Sequence, residues 1–351
     1  MVELTAAMEE REAALMARFA EAKRHDYRIR VLGRGFRIRS SQSAATEEIV
    51  SLANWDRVVA YQPADLVVTV EAGMTISALN DHLAACSQWI PLTMADGFDD
   101  TIGGVVAAGL DGIWRGGYGP FRDRVLGLRV LTPGFGAIEA GAHVVKNVAG
   151  YNLPRLFLGS RGVFGVITRV TLKVSPRPSV RRVWIWKGDW ETLSRQADQL
   201  LNWASPWASI LLLKEPEMDT WKLWAEWHGI SKTVEFLQRE VGPGAEDLPW
   251  WSSPGWLARD VTLKGAVPRR VIGDLMRVWE DGPLAVEWQS GAFWGGLPAK
   301  DCRRIMHWIR ERFGGVEVVS GPDLDDASRS PIVTGPWQRL KQAYDPDAVL
   351  V

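Results

Sequence analysis

The chain of 351 residues carries 41 Lys and Arg against 42 Asp and Glu, a net charge of −1, and 46% of its residues are hydrophobic. That length and apolar content support a real core, divided over two domains or over one large domain and a smaller one. The balanced charge argues against nucleic acid as a partner, because phosphate backbones are met by basic fields.

No apolar run reaches the about 18–20 residues that a bilayer requires. The opening stretch, MVELTAAMEEREAALMARFAEAKRHD, is charged and lacks the apolar core of a signal peptide, which predicts a cytoplasmic protein. Residues 3–24 of it form a helix with alanine, leucine and methionine on one face. A strand over 27–33 runs into a glycine loop. Residues 57–61 and 66–70 read as two strands separated at Pro63, and 76–86 as a helix with Ile76, Leu79, Asn80 and Leu83 at three–four spacing. Residues 101–112 form a helix of small residues. A hairpin over 123–141 turns at Pro133–Gly136. The stretch GSRGVFGVITRVTLKV, 159–174, opens with Gly159, Gly162 and Gly165 and then alternates as a strand. A glycine inside a regular element costs about 0.5–1 kcal/mol against alanine, so three at fixed spacing imply a very close approach to this backbone.

Composition changes near Pro176–Pro178. Of 34 glycines 19 precede this point, and of 19 tryptophans 16 follow it. The first half therefore reads as backbone packed close to a ligand, and the second as large-aromatic core or interface. SPRPS, 175–179, is the linker between them. Beyond it come a strand at 181–188, a helix at 189–203, strands at 208–215 and 221–229, a helix at 230–242, a strand and turn at 283–297 and an amphipathic helix at 299–314. The order, roughly βαββαββα, predicts an α+β fold. No repeat of 20–50 residues is visible.

Several motifs are excluded. Gly33 and Gly35 stand in VLGRGFRIRS, but Ile38 occupies the third glycine position of a dinucleotide fingerprint, and polar loop follows instead of helix. No phosphate-binding G-x-x-x-x-G-K-[ST] is present. Ser160 lies in G-S-x-G and so outside a nucleophile elbow; it reads as a helix cap that turns backbone N–H groups toward an anion. The two cysteines, Cys86 and Cys302, are too few for an iron–sulfur cluster, which takes about four, and the five histidines show no metal-ligand spacing, so no metal is expected. Three glycine-bearing segments remain, at 33–41, 99–123 and 144–168. Tight packing explains any one of them; the three together point to a large planar cofactor.

These segments resemble the FAD-binding domain of the vanillyl-alcohol oxidase/p-cresol methylhydroxylase class and, within it, the smaller FAD-binding (E) subunits of bacterial glycolate oxidases. The resemblance rests on DRVVAYQPADLVVTVEAGMTISALNDHLAACSQWIPL, TIGGVVAAGLDGIWRGGYGPFRDRVLGLRVL and HVVKNVAGYNLPRLFLGSRGVFGVITRVTLKVSPRP, with LKQAYDPDAVL similar to the family's closing helix. It implies a two-subdomain FAD-binding domain over 1–178, a ferredoxin-like α+β cap over 179–325, and a segment, 326–351, that returns to the first domain. It implies FAD contact at Gly33, Arg34, Gly35 and Phe36, the first pyrophosphate loop; at Thr101, Ile102, Gly103 and Gly104; at Gly109 and Gly112; and at Gly162, Gly165, Val166 and Ile167. Asn147 and Tyr151, with Lys146, sit in the matching KNVAGY and either touch the ligand or brace the loop carrying Gly150.

The first loop departs from the family's G-G-G-S/T-K: Arg34 stands where glycine is usual and Phe36 where a small hydroxyl is. Arg34 either pairs with a phosphate or marks a loop that has lost its grip. No histidine or cysteine occupies the loop, so the FAD is expected to be non-covalent. The resemblance further implies transfer of a hydride from a small 2-hydroxy acid to flavin, within a complex holding a larger FAD-binding subunit and an iron–sulfur subunit. A scaffold subunit with a degenerate FAD site and a stand-alone FAD-dependent oxidase or dehydrogenase remain as alternatives. No catalytic base is identified: His228 and His307 read as packing or surface, and Trp288 and Trp294 either line a flavin face or fill the core.

Overall fold

The computed structural model describes residues 2–35, 47–94, 99–141, 153–203, 206–214, 220–241, 245–246, 261–313, 315–320 and 334–350. The first helix, α1 (Val2–His25), buries Met8, Glu12, Leu15, Phe19 and Ala22, a three–four spacing that turns one face inward. Strands β1 (Arg28–Leu32) and β2 (Glu47–Ser51) pair in parallel. Next come β3 (Val58–Gln62), β4 (Val67–Glu71), α2 (Ile76–Ala84) and β5 (Gln88–Trp89). The small-residue helix α3 (Ile102–Ala108) ends earlier than its composition suggests, because Gly109 takes a left-handed φ of 59° and closes it. A short α4 (Arg115–Tyr118) leads to the hairpin β6 (Val125–Thr132) and β7 (Gly136–Gly141), and α5 (Pro154–Phe157) leads to β8 (Val166–Lys173).

Strands β3, β4, β8, β6 and β7, in that order, make an antiparallel sheet. Helix α1 lies across it. Glu12 accepts from Arg129 Nε at 2.7 Å and from Thr168 Oγ1 at 2.8 Å, so a carboxylate on the helix is matched by groups on two strands. Strand β9 (Ser175–Pro176), paired with β5, marks the passage to the second half.

The second half is two consecutive βαββαβ units. The first holds β10 (Val180–Gly188), α6 (Trp190–Leu201), β11 (Trp207–Lys214), β12 (Trp221–Gly229), α7 (Ser231–Val241) and β13 (Ala245–Glu246). The second holds β14 (Val261–Ala266), α8 (Ile272–Val278), β15 (Leu284–Glu287), β16 (Ala292–Leu297), α9 (Ala299–Phe313) and β17 (Val316–Ser320). Their strands form one sheet in the order β13-β10-β12-β11-β15-β16-β14-β17. Each unit thus has the ferredoxin-like order 4-1-3-2, and the two join through β11 and β15, with Leu211 opposite Glu287. The sequence reading finds a single such pattern. It lacks β14 and β17 and takes β15 and β16 for one strand and a turn, so the duplication stays hidden.

Alternation along these strands separates two cores. Ile210 and Leu212 join Trp184, Trp207, Trp227, Trp279 and Trp288 on the side packed by α6, α8 and α9. Leu211 and Leu213 join Val183, Trp224 and Trp294 on the other side, where Trp89, Ile113, Trp114 and Tyr118 of the first half pack against them. These seven tryptophans of the second half are therefore core, and all are buried. Finally α10 (Thr334–Tyr344) carries the chain back to the first half. Trp337 stacks on Phe164, with ring centroids 4.4 Å apart, and Ile29 N–H donates to Val349 O at 2.7 Å.

Candidate functional site

The first two glycine segments meet at the start of α3. Gly33 follows β1 and lies against Thr101: a Cβ placed on it would stand 2.2 Å from Thr101 Oγ1. That same hydroxyl caps α3 by accepting from Gly104 N–H at 3.2 Å. The helix start is also sewn to the end of β4, with Ile102 N–H donating to Met74 O and Gly103 N–H to Ala72 O, both at 2.8 Å. A Cβ on Gly103 would strike Ala72 Cβ at 2.6 Å, so this glycine exists for close packing. Gly104 differs. Among the described residues a Cβ there meets only the Thr101 hydroxyl, and Gly104, Ala107 and Ala108 leave a half-buried face of main chain.

The third segment lies alongside. Gly159 N–H donates to Val106 O at 3.0 Å and Arg161 N–H to Ala107 O at 2.8 Å, which ties this loop to the last turn of α3. Gly159, Arg161 and Gly162 all have positive φ, and among the described residues a Cβ on Gly162 would meet no atom within 4 Å. Beyond it, Val166 and Ile167 pair with Leu131 and Val130 of β6. On their other side β4 has already ended, since its last residue, Glu71, pairs with Arg169. Among the described residues, that edge of β8 has no ladder partner at 166–167.

Three predicted glycines pack against the protein itself. A Cβ on Gly109 would stand 3.1 Å from Gly159 Cα, one on Gly112 2.6 Å from Thr93 O, and one on Gly165 2.6 Å from Val130 Cγ1. Arg34 Nη1 donates to Asp99 Oδ2 at 3.1 Å, and Asp99 also accepts from Ser77 N–H and Ser77 Oγ at the head of α2. Phe36, Lys146, Asn147, Gly150 and Tyr151 lie outside the described residues. Ser160, expected to cap a helix, has a buried hydroxyl with no partner among the described residues.

The second half clasps this region from its β14–β17 edge. Lys264 Nζ donates to Ala108 O at 3.0 Å and to Gly109 O at 2.7 Å, the last carbonyls of α3. In the opposite direction, Arg161 donates to Val318 O at 2.8 Å.

A buried polar chain also crosses between the halves. Tyr118 Oη lies 2.8 Å from His228 Nδ1, His228 Nε2 lies 2.6 Å from Glu226 Oε1, and Arg181 Nε donates to the same oxygen at 2.6 Å. Burial acts to raise the Glu226 carboxyl, but the hydrogen bond from His228 and the Arg181 charge outweigh it and hold it at about 2, below the ordinary 4.5. Burial first, then that carboxylate, push the Tyr118 phenol up. An ionised carboxylate only accepts, so Nε2 of His228 carries a proton toward Glu226. The sequence reading assigns His228 to packing or surface. The available signal is alternation: Trp224, Glu226 and His228 share one face of β12, and a charged residue inside a tryptophan-rich strand needs a partner. His307 pairs with Glu311 on an exposed helix face.

Residues 7–140 match the family described as FAD binding domain. The fold agrees with alkyldihydroxyacetonephosphate synthase, at a TM-score of 0.69 and 15% identity, over 94% of this chain and 73% of that one. The glycolate oxidase subunit GlcE of Escherichia coli K12 is 31% identical over 305 residues, 83% of this chain and 82% of that protein. The chain belongs to this family of FAD-binding oxidoreductase subunits, and FAD is its cofactor. Other relatives match over shorter stretches: the mitochondrial D-lactate dehydrogenase [cytochrome] of Arabidopsis thaliana is 34% identical over 129 residues, 37% of this chain, and the glycolate oxidase subunit GlcD of Bacillus subtilis 28% over 134, 38% of this chain. The chain spans only 22% and 28% of the lengths of those two proteins.

Proposed function

We propose that this chain is the smaller FAD-bearing subunit of a glycolate oxidase-type complex, in which electrons leave a small 2-hydroxy acid and reach a partner subunit. The observation that carries this reading is that α3 is bordered at its start by Gly33 and at its last turn by Gly159–Gly162, with main chain bare, among the described residues, at Gly104 and Gly162. FAD bound there would supply the two-electron acceptor for the hydride of the hydroxy acid. The chain's own residues would hold it: Gly33, Arg34 and Gly35 at the pyrophosphate, Thr101 and Gly104 along the neighbouring chain, and the free edge of β8 at Val166 and Ile167 against a ring. The N–H groups of residues 102–104 already have partners within the protein, so this contact would be made by bare surface more than by new donors.

The partners in this reading are a larger FAD-binding subunit and an iron–sulfur subunit. Cys86 is exposed and Cys302 buried, 216 positions along the chain, and two thiols do not ligate a cluster, so the metal relay would come from elsewhere. A second reading, a scaffold whose FAD site has degenerated, is favoured by one observation: the face of the second-half sheet toward the first half is filled by Trp89, Trp114, Trp224 and Trp294. Dye-linked oxidation of glycolate and D-lactate by the assembled complex, with wild-type chain and with Gly104→Val, separates the two. Loss of turnover with the complex still assembled supports the flavin-bearing role; unchanged turnover supports the scaffold.

A further inference from the structure

The loop at 159–162 is held from the second half. Arg161 stands in it with φ 56°, a left-handed backbone that is costly for a residue bearing a Cβ, so contacts of its side chain have to offset the strain. Those contacts leave the first half. Nη2 of Arg161 donates to Val318 O at 2.8 Å and lies 3.5 Å from Glu317 Oε2, both on β17, the strand that ends the eight-stranded sheet. Lys264 stands opposite Glu317 in the β14–β17 ladder, and its ammonium lies 3.5 Å from the same carboxylate oxygen. One carboxylate thus joins two cations, one from each half of the chain. Lys264 also holds Ala108 O and Gly109 O at the end of α3, while the Arg161 N–H donates to Ala107 O. The β14–β17 pair therefore grips the last turn of α3 and the loop beside it together. The next residue of that loop is Gly162, left-handed and bare among the described residues.

We propose that Arg161 is a positioning residue for the flavin dinucleotide: it does not touch the cofactor, and the Glu317–Lys264 pair of the second half holds it so that the adjoining main chain at Gly162 keeps the shape in which FAD is received. This rests on the FAD-bearing reading above and deepens it. The second half then acts on cofactor affinity through the backbone of the first, and the side chain at 161 is what transmits the hold.

The full-length chain, stripped of flavin, is titrated with FAD and followed by flavin fluorescence, with affinity read on folded protein. Arg161→Ala should raise the dissociation constant by about tenfold, and Arg161→Lys should recover part of the loss. Glu317, half-exposed on β17, tests the hold from the other side. Glu317→Gln should loosen FAD by about threefold, and should add little in the Arg161→Ala background. Arg161→Gly removes the backbone strain together with the guanidinium and should bind as weakly as Arg161→Ala. An arginine that itself met the phosphates would be freed by Glu317→Gln, and FAD would tighten. A clasp that only stabilised the fold would lower the urea midpoint and leave the dissociation constants unchanged. Either result, or full affinity in Arg161→Gly, overturns the positioning role. Wild-type chain that takes up no FAD overturns the FAD-bearing reading itself, and the positioning role with it.

Discussion

Thr101 caps the small-residue helix with the same hydroxyl that a Cβ on Gly33 would strike at 2.2 Å. The first loop and the helix start are therefore one unit. Gly33→Ala must push that hydroxyl away from Gly104 N–H, and a lost cap costs about 0.5–2 kcal/mol. The expected outcome is a lower urea midpoint together with reduced flavin content, measured on the same preparation.

Gly162 and Gly165 should separate ligand space from packing. Gly162 has φ 83° and, among the described residues, nothing within reach of a Cβ, so Gly162→Ala costs about 1–2 kcal/mol for the left-handed backbone and in addition weakens FAD. Gly165→Ala strikes Val130 Cγ1 at 2.6 Å and Thr132 Cγ2 at 2.8 Å, and overpacking of this kind costs about 1–3 kcal/mol. Its FAD affinity, measured on the folded fraction, should fall less than that of Gly162→Ala.

Glu226 gives the fold a specific acid limit. Its carboxyl titrates at about 2 in the folded chain against an ordinary 4.5, so its contribution is fully present above 4.5 and is lost as pH falls toward 2. Glu226→Gln leaves Arg181 buried beside a neutral amide, and breaking such a pair costs about 3–5 kcal/mol. Urea midpoints measured across that acid window should fall in the wild-type chain and stay nearly level in the variant.

Lys264→Met tests the clasp on α3. The variant keeps the apolar stem and loses the two donations to Ala108 O and Gly109 O. Hydrogen bonds involving a charged group are worth about 1.5–3 kcal/mol each, less the burial cost of the ammonium that the variant no longer bears. A net loss of stability is expected, with faster amide exchange around Gly109 and Gly159.

The first half was legible because its signals are local. Pro63 between two β-branched runs, Thr101 ahead of a run of small residues, and the turn at Pro133–Gly136 each dictate an element by themselves. The duplication in the second half was not, because β14 and β17 pair across some fifty residues of intervening chain and carry no turn signature joining them. Gly109, Gly112 and Gly165 illustrate a second limit. A glycine says that something comes close, but the sequence does not say whether it is a ligand or Thr93. The Tyr118–His228–Glu226 chain joins residues more than a hundred positions apart, and only the pairing of β10 with β12 sets Arg181 directly opposite His228 and beside Glu226.

The most direct measurement is the visible absorbance of the purified full-length chain before and after acid precipitation. A flavin spectrum near one equivalent per chain, released intact into the supernatant and identified there as FAD, is the predicted result. A colourless chain that stays colourless when incubated with excess FAD would contradict the cradle at Gly33, Gly104 and Gly162 as a cofactor site.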